Sequence, residues 1–398
     1  MLLRVKRIDT SSRIDIIFTR GEAKRLTATR RKLLFIVNSF ENGAVPNILL
    51  DIAPSLTSAG WLLQFLSLEP LPEAHDSVKR CRAAGLPLES LGLSPTSFLA
   101  AIPALRKKIL QIDPDLIHTH LGRADIFTPW AKGTVPQITT FHSVRQNYNK
   151  LTLAGYRLTD GLVAHRTGVS QAAIDSFYAN GPLKSAHTVI YNPVNPERIK
   201  PRRTREQVFQ ALGWHDRKAD PLLLCVGRLM PVKDQKTLIA ALPLLLKDFP
   251  GLRCVIAGDG PLKTDLEAQI HALGLEDRAK LAGTWDGVAD LYAASAALVF
   301  PSLWEGLGLV PLEALVSGCP VAASDITAVR EFLVNRENGL LFRPGSPVNL
   351  ALAVKELLEN PILTRERTER GRQMVLECFA PGKIAGQYLA LYEKVIAR

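Results

Sequence analysis

The stretch "LVFPSLWEGLGLVPLEALVSGCPVAASD", residues 298–325, decides the fold. An apolar, β-rich run over 297–300 ends at Pro301, a loop carries Glu305, Gly306, Leu307 and Gly308, and a helix is expected from Pro311 to Gly318. Proline suits a helix's first turn, and glycine followed by Pro320 marks its end. A further apolar run, 320–323, follows at once. Strand, loop, helix and strand in so short a span form the repeating unit of a parallel sheet, whose strands are buried on both faces and read as continuous apolar text. That unit separates the two glutamates, leaving Glu305 on the glycine loop and Glu313 in the expected first helical turn. Amides of a glycine loop beside a helix start make an anion site. Carboxylates on either side can accept paired hydrogen bonds from vicinal hydroxyls, which suits a ligand built as sugar, diphosphate and ribose. Glu313 has a simpler reading, a helix-dipole carboxylate worth under ~1 kcal/mol; Glu305 has none.

The same grammar runs outward in both directions. Further strands are expected downstream at 222–226, at 253–257 and near Lys280, with helices from Asp234 and over 262–273 and 288–294. Upstream, strands are expected at 33–37, 62–68, 116–120, 137–141, 161–169 and 188–191, with helices near 46–59, 76–84 and 98–111. Between the halves, Asn192-Pro193-Val194-Asn195-Pro196 breaks the pattern with two prolines among turn-forming asparagines. The expectation is an α/β protein of two doubly wound, Rossmann-like domains facing a central cleft. A basic leader of unassigned structure occupies 1–31, a first domain 32–196 and a second domain 197–378. A C-terminal helix, 379–398, repeats Ile384, Tyr388, Leu391, Tyr392 and Val395 at helical spacing and is expected to rejoin the first domain.

At 398 residues and 47% apolar composition, the chain exceeds what one hydrophobic core supports. No window reaches the ~18 uninterrupted apolar residues of a spanning helix, and the start, Met1 to Arg7, lacks an apolar signal core, so a soluble cytoplasmic protein is expected. The 5 cysteines are scattered singly and read as small reduced core residues. The net charge of +11 is uneven: residues 1–200 carry 25 Lys/Arg against 15 Asp/Glu (+10), and residues 201–398 carry 24 against 23 (+1). Two basic clusters, Lys79-Arg80-Cys81-Arg82 and Arg106-Lys107-Lys108, lie on helical text. The second follows Phe98, Leu99, Ile102 and Leu105, an amphipathic pattern suited to an anionic membrane surface and equally to a solvated face.

In such folds ligands bind beyond the C-termini of the strands. The loop from Gly227 to Lys233 follows "LLLCV" and sends Arg228 and Lys233 toward the cleft, before a helix start capped by Asp234. Guanidinium and ammonium together suit a diphosphate, although two surface cations would look the same in isolation. Gly258-Asp259-Gly260-Pro261 is a tight turn that lets the backbone approach a ligand or its own neighbour. Gly283 and Thr284 either offer backbone groups to a nucleobase or simply end a strand. His142 ends an apolar strand at the interdomain face, as a site residue or as a satisfied core histidine. His118 and His120 alternate on one strand face, and Asp113-Pro114-Asp115 imitates a D-x-D metal motif. Neither has a third ligand nearby, so no metal site is expected.

"GRLMPVKD", "VIAGDGPL" and above all "PSLWEGLGLVPLEALVSGCPVAASD" resemble the retaining nucleotide-sugar glycosyltransferases of GT-B fold that carry the E-x7-E motif, the glycosyl transferases group 1. The resemblance continues through "RENGLLFRPGSP" and, more faintly, through "DPDLIHTHLGRAD", "TTFHS", "GVSQAAID" and "VIYNPVNPERI" in the first domain. It implies that Arg228, Lys233 and the amides around Gly306, Leu307 and Gly308 bind the donor diphosphate. Glu305 would hold the transferred sugar's hydroxyls and Glu313 the ribose, and His142 would line the cleft beside the anomeric carbon. The implied donor is a nucleoside diphosphate sugar, UDP-sugar favoured over GDP-sugar, with no other cofactor and with the departing phosphate oxygen taking the acceptor's proton. The implied acceptor is a hydroxyl of a lipid-linked or cell-envelope glycan, reached with the protein peripheral on the inner face of the membrane; nucleic acid is not an expected partner. One departure concerns the family's glycine pair in the first loop: "SFENGAVPN" offers only Gly43, which leaves the first domain's donor contact and the acceptor position open. A GT-B sugar-nucleotide epimerase, a non-catalytic basic lipid- or nucleic-acid-binding protein, and a transferase acting on a small soluble acceptor stand as alternatives.

Overall fold

The computed structural model describes residues 30–41, 43–179, 181, 183–215 and 220–397, so the expected basic leader lies outside the described residues except for Arg30 and Arg31. The first domain contains β1 (Lys32–Val37), α1 (Ala44–Ser58), β2 (Leu62–Ser67), α2 (Asp76–Ala83), β3 (Leu88–Ser90), α3 (Phe98–Ile112), β4 (Leu116–His120), α4 (Gly122–Ala131), β5 (Gln137–Phe141), α5 (Lys150–Leu158), β6 (His165–Gly168), α6 (Gln171–Tyr178) and β7 (His187–Val189). The second contains α7 (Arg205–Ala211), β8 (Leu222–Val226), α8 (Gln235–Asp248), β9 (Arg253–Ala257), α9 (Lys263–Ala272), β10 (Ala279–Gly283), α10 (Val288–Ala294), β11 (Ala297–Phe300), α11 (Leu309–Val316), β12 (Val321–Ser324), α12 (Thr327–Arg330), β13 (Leu340–Phe342), α13 (Pro347–Glu359) and α14 (Pro361–Cys378). The last helix is α15 (Pro381–Ile396).

Both sheets are wholly parallel, in the orders β3-β2-β1-β4-β5-β6-β7 and β10-β9-β8-β11-β12-β13. Each starts in the middle, builds outward to one edge and then reverses, so β1/β4 and β8/β11 flank the crevices where doubly wound sheets bind ligands. The central strands read KLLFIV and LLLCV and are almost wholly buried, as strands covered by helices on both faces must be.

Helix α15 lies on the first domain, not the second. Its Ile384, Tyr388, Leu391, Tyr392 and Val395 share a core with Phe35, Leu49, Trp61 and Phe65, and Arg31 pairs with Glu393 at its far end.

The structure corrects several expectations. The run 161–169 is a strand only over His165–Gly168, because the Asp160 carboxylate accepts the amides of Lys184 and Ser185 at 2.7 and 3.1 Å and holds Asp160–Leu162 in a 3-10 turn. Helix α11 starts at Leu309 rather than Pro311, since Gly308 adopts φ 93° and opens it two residues early; Glu313 therefore falls in the second turn. Asp234 precedes α8 in a left-handed conformation, and its carboxylate accepts the Thr237 hydroxyl at 2.7 Å instead of a helix amide. Cys378 is exposed, while the other four cysteines are buried. Three cations of the basic clusters have acidic partners: Arg80 bonds Asp51 at 3.0 Å, Arg82 bonds Glu73 at 2.6 Å and Lys108 bonds Glu89 at 2.6 Å.

Candidate active site

The second sheet reverses between β8 and β11, and the loops leaving these strands meet. The Leu303 amide donates to the Val232 carbonyl at 2.8 Å, tying loop to loop. Lys233 Nζ then sits 2.5 Å from Glu305 Oε1 and 5.6 Å from the centroid of the Phe300 ring. Both side chains are largely screened from solvent, so each fixes the other's rotamer. Glu305 lines a cavity of about 530 Å³ between the domains, walled by Val144 and Ser176 from one side and by Trp304 and Ile326 from the other.

At Gly306 the two domains touch. Ser170 Oγ donates to the Gly306 carbonyl, and a Cβ built on Gly306 would stand 2.3 Å from the His142 carbonyl oxygen, so only glycine allows this approach. Leu307 turns its side chain into the second domain's core, leaving backbone as its only offering to a ligand. Two further contacts hold the seam. Trp304 Nε1 donates to Asn147 Oδ1 at 2.8 Å, and the Glu331 carboxylate accepts the Gln171 and Ala172 amides, each at 2.8 Å, at the N-terminus of α6.

Exposed Arg228 lines a second cavity, of about 680 Å³, with Asp259, Thr284, Trp285 and Val288. The glycine turn beside it serves its neighbour: a Cβ on Gly258 would lie 2.0 Å from the Gly227 carbonyl oxygen, so these two strand-end loops pack back to back. Trp285 and Val288 also line a third cavity, of about 480 Å³, which contains Glu313 with Gly43, Asn47, Asp51 and Arg198. Tyr292 Oη donates to Glu313 Oε2 at 3.0 Å, and burial raises the carboxyl of Glu313 above its usual range.

His142 follows β5 and is half-buried, with Nε2 2.9 Å from His120 Nδ1. Asp113 ends α3 with φ 52°, and Asp115 Oδ2 accepts the Lys32 amide at 2.7 Å, so the D-x-D text is occupied with chain turning. Among the described residues, no three His, Cys, Asp or Glu side chains are placed to hold a metal ion.

The structure thus brings Lys233, Glu305, Gly306 and His142 to one seam, and Gly43 and Glu313 to one cavity. It does not put Glu305 and Glu313 in the same cavity; the path between them runs along the start of α11. Sequence reasoning stopped at Gly283 and Thr284 and missed Trp285, the next residue, which walls two cavities. It also missed the pairing of His120 with His142, for which strand alternation was the only signal.

Residues 208–374 match the profile of the family described as glycosyl transferases group 1, and residues 45–198 match Glycosyltransferase Family 4. The chain is 26% identical over 313 residues to the alpha-D-kanosaminyltransferase of Streptomyces kanamyceticus, covering 73% of this chain and 80% of that one. It is 25% identical over 240 residues to the N-acetyl-alpha-D-glucosaminyl L-malate synthase of Bacillus anthracis, covering 58% of this chain and 62% of the relative. The crystal structure of Anabaena HepE in complex with UDP and glucose superposes with a TM-score of 0.78 at 23% identity, over 92% of this chain and all of that one, and TarM with 0.76 at 12%. At these identities the structural likeness is one of fold. The fold is GT-B, and the sequence matches support membership of the glycosyl transferases group 1 family, whose chemistry is sugar transfer.

Proposed function

We propose that the chain is a retaining glycosyltransferase that moves a hexose or N-acetylhexosamine from a nucleoside diphosphate sugar to a hydroxyl acceptor, without a metal ion. The observation that carries this reading is the meeting of Lys233 and Glu305 at the reversal of the second sheet, beside Gly306 and His142 from the opposite domain. A cation for phosphate and a carboxylate for hydroxyls stand there side by side. The nucleoside would lie along Arg228, Trp285 and Glu313, with the free Oε1 of Glu313 taking ribose hydroxyls while Tyr292 holds Oε2. Cleavage of the sugar–phosphate bond builds negative charge on the diphosphate, which Arg228, Lys233 and the backbone of Gly306, Leu307 and Gly308 would stabilise. The departing phosphate oxygen would take the acceptor's proton, so no protein nucleophile is needed.

A uridine diphosphate sugar is the favoured donor, in keeping with the UDP complexes of the structural neighbours. The acceptor would be a lipid-linked or cell-envelope glycan, entering near Gly43 in the first domain and reached with the protein peripheral on the membrane. No described helix is long and apolar enough to cross one.

Thermal-shift screening of uridine, guanosine and adenosine diphosphate sugars tests the donor. Ligand at ~100 times its dissociation constant adds roughly 2.7 kcal/mol of stability. Transfer to a glycosyl acceptor with the anomeric configuration kept is the expected outcome. Isomerised donor without transfer would replace this reading by the epimerase.

A further inference from the structure

Strand β4 alternates so that His118 and His120 stand on one face, and β5 delivers His142 beside them. The innermost ring is saturated: His118 Nδ1 is 2.8 Å from Tyr392 Oη and Nε2 is 2.7 Å from Thr140 Oγ1. His120 packs against it with ring centroids 4.1 Å apart and planes tilted by 42°, and reaches outward, its Nδ1 2.9 Å from His142 Nε2. The other nitrogen of His120, Nε2, is buried and has no partner. Burial holds all three imidazoles below their ordinary range, His142 down to about 3, so the rings are neutral near pH 7.

Between two neutral imidazoles whose nitrogens face each other, one must donate and the other accept. If His142 donated, the proton of His120 would have to sit on Nε2, stranding a buried N–H that bears its full desolvation penalty. If His120 donates from Nδ1, its Nε2 keeps only a lone pair, and orphaned acceptors are better tolerated than orphaned donors. The second arrangement puts the proton of His142 on Nδ1, since the hydrogen bond at one ring nitrogen sets the state of the other.

We propose that His120 is a positioning residue: its Nδ1–H···Nε2 bond holds His142 in the Nδ1-protonated tautomer, so that His142 meets the donor sugar as a hydrogen-bond donor and not as a base. The proposal rests on His142 being a sugar contact, as read above. It removes Nε2 of His142 from proton transfer, since that lone pair is engaged by His120, and it makes His118, Tyr392 and Thr140 the backing that keeps His120 in place.

The test has two arms on the full-length chain. In the first, long-range proton–nitrogen correlation spectra of 15N-histidine-labelled protein show which ring nitrogen of His142 carries hydrogen, with His142→Asn giving the assignment. Protonated Nδ1 and bare Nε2 are expected, and a protonated Nε2 overturns the proposal. In the second, His120→Phe keeps a ring without a donor, whereas His120→Asn places an amide N–H near the former Nδ1. His120→Phe should lower kcat by about 10- to 100-fold, the scale of a small misplacement at a reacting centre, with KM for the donor within about 3-fold. His120→Asn should recover most of that loss. Equal losses in both variants, or none in either, overturn the proposal. Absence of transfer with any donor would overturn the function proposed above and leave the spectrum to decide this one.

Discussion

Lys233 and Glu305 lie 72 residues apart along the chain and 2.5 Å apart in space. They come from the two loops that flank the reversal of the second sheet, so the pair is a product of topology rather than of local sequence. On the function proposed above, a donor entering this seam would find its cation and its carboxylate already oriented.

Removing either partner leaves the other screened from water without its counter-charge. Lys233→Ala and Glu305→Gln should each cost about 1–3 kcal/mol of stability, read by denaturant unfolding. Turnover should fall on the order of 100-fold or more in each, because oriented charge at the reacting bond is the larger effect. Arg228→Ala, exposed in its cavity, should lose turnover on a similar scale while keeping the wild-type unfolding midpoint. Near-normal turnover in both Arg228→Ala and Lys233→Ala would sink the site.

Gly306→Ala should prevent the domains from meeting, since the new Cβ would stand 2.3 Å from the His142 carbonyl oxygen. A displacement of about 1 Å at a reacting centre can cost 100-fold in rate, and kcat/KM should drop at least that far. Solution scattering should show a larger radius of gyration than wild type. An unchanged radius together with unchanged kinetics would show that the contact is dispensable.

Glu313 gives a separation of stability from binding. Its folded carboxyl titrates above the ordinary 4.5 because of burial, so the folded state holds its proton longer than the unfolded state. Stability from this group is therefore present below pH 4.5 and is lost as the pH rises through the raised value. Glu313→Gln should match wild type in Tm at pH 4 and exceed it at pH 8, while donor affinity falls. A variant less stable than wild type at pH 8 would contradict the sign.

Asp125, on α4, is a second buried acid. Burial raises its carboxyl to about 7, against the Tyr156 hydroxyl that bonds it at 2.8 Å, and its Oδ1 has no partner. The same sign holds: stability falls between pH 3.8 and about 7 as the unfolded chain ionises first. Asp125→Asn should raise Tm by a few degrees at pH 8, with the gain vanishing near pH 4. No gain at pH 8 would mean that Tyr156, Thr119 and Arg166, which all favour the charged form, outweigh the cost of burial.

The alternation of apolar runs with helical periodicity made both sheets legible, because buried parallel strands such as "LLLCV" carry no polar interruptions. Helix α4 was not: its apolar residues are spread around the axis, and Pro129 sits inside it. Strand β3, three residues long and only half-buried, has no periodic signal at all. At the site, strand-end loops announced Arg228, Lys233 and Glu305 singly, while their pairing came only from the order in which strands lie side by side. The start of α11 is set by Gly308 at φ 93° and not by Pro311, and residue type alone does not show which glycine takes the left-handed conformation.

Helix α15 closes a core begun by β1, with the Val194 amide also bonded to the Phe379 carbonyl at 2.8 Å. During synthesis β1 leaves the ribosome well before α15, so the first domain's core stays open until α15 has been made, by which time every strand of the second sheet is available. Removal of α15 would thus disable the half of the molecule that was made earlier.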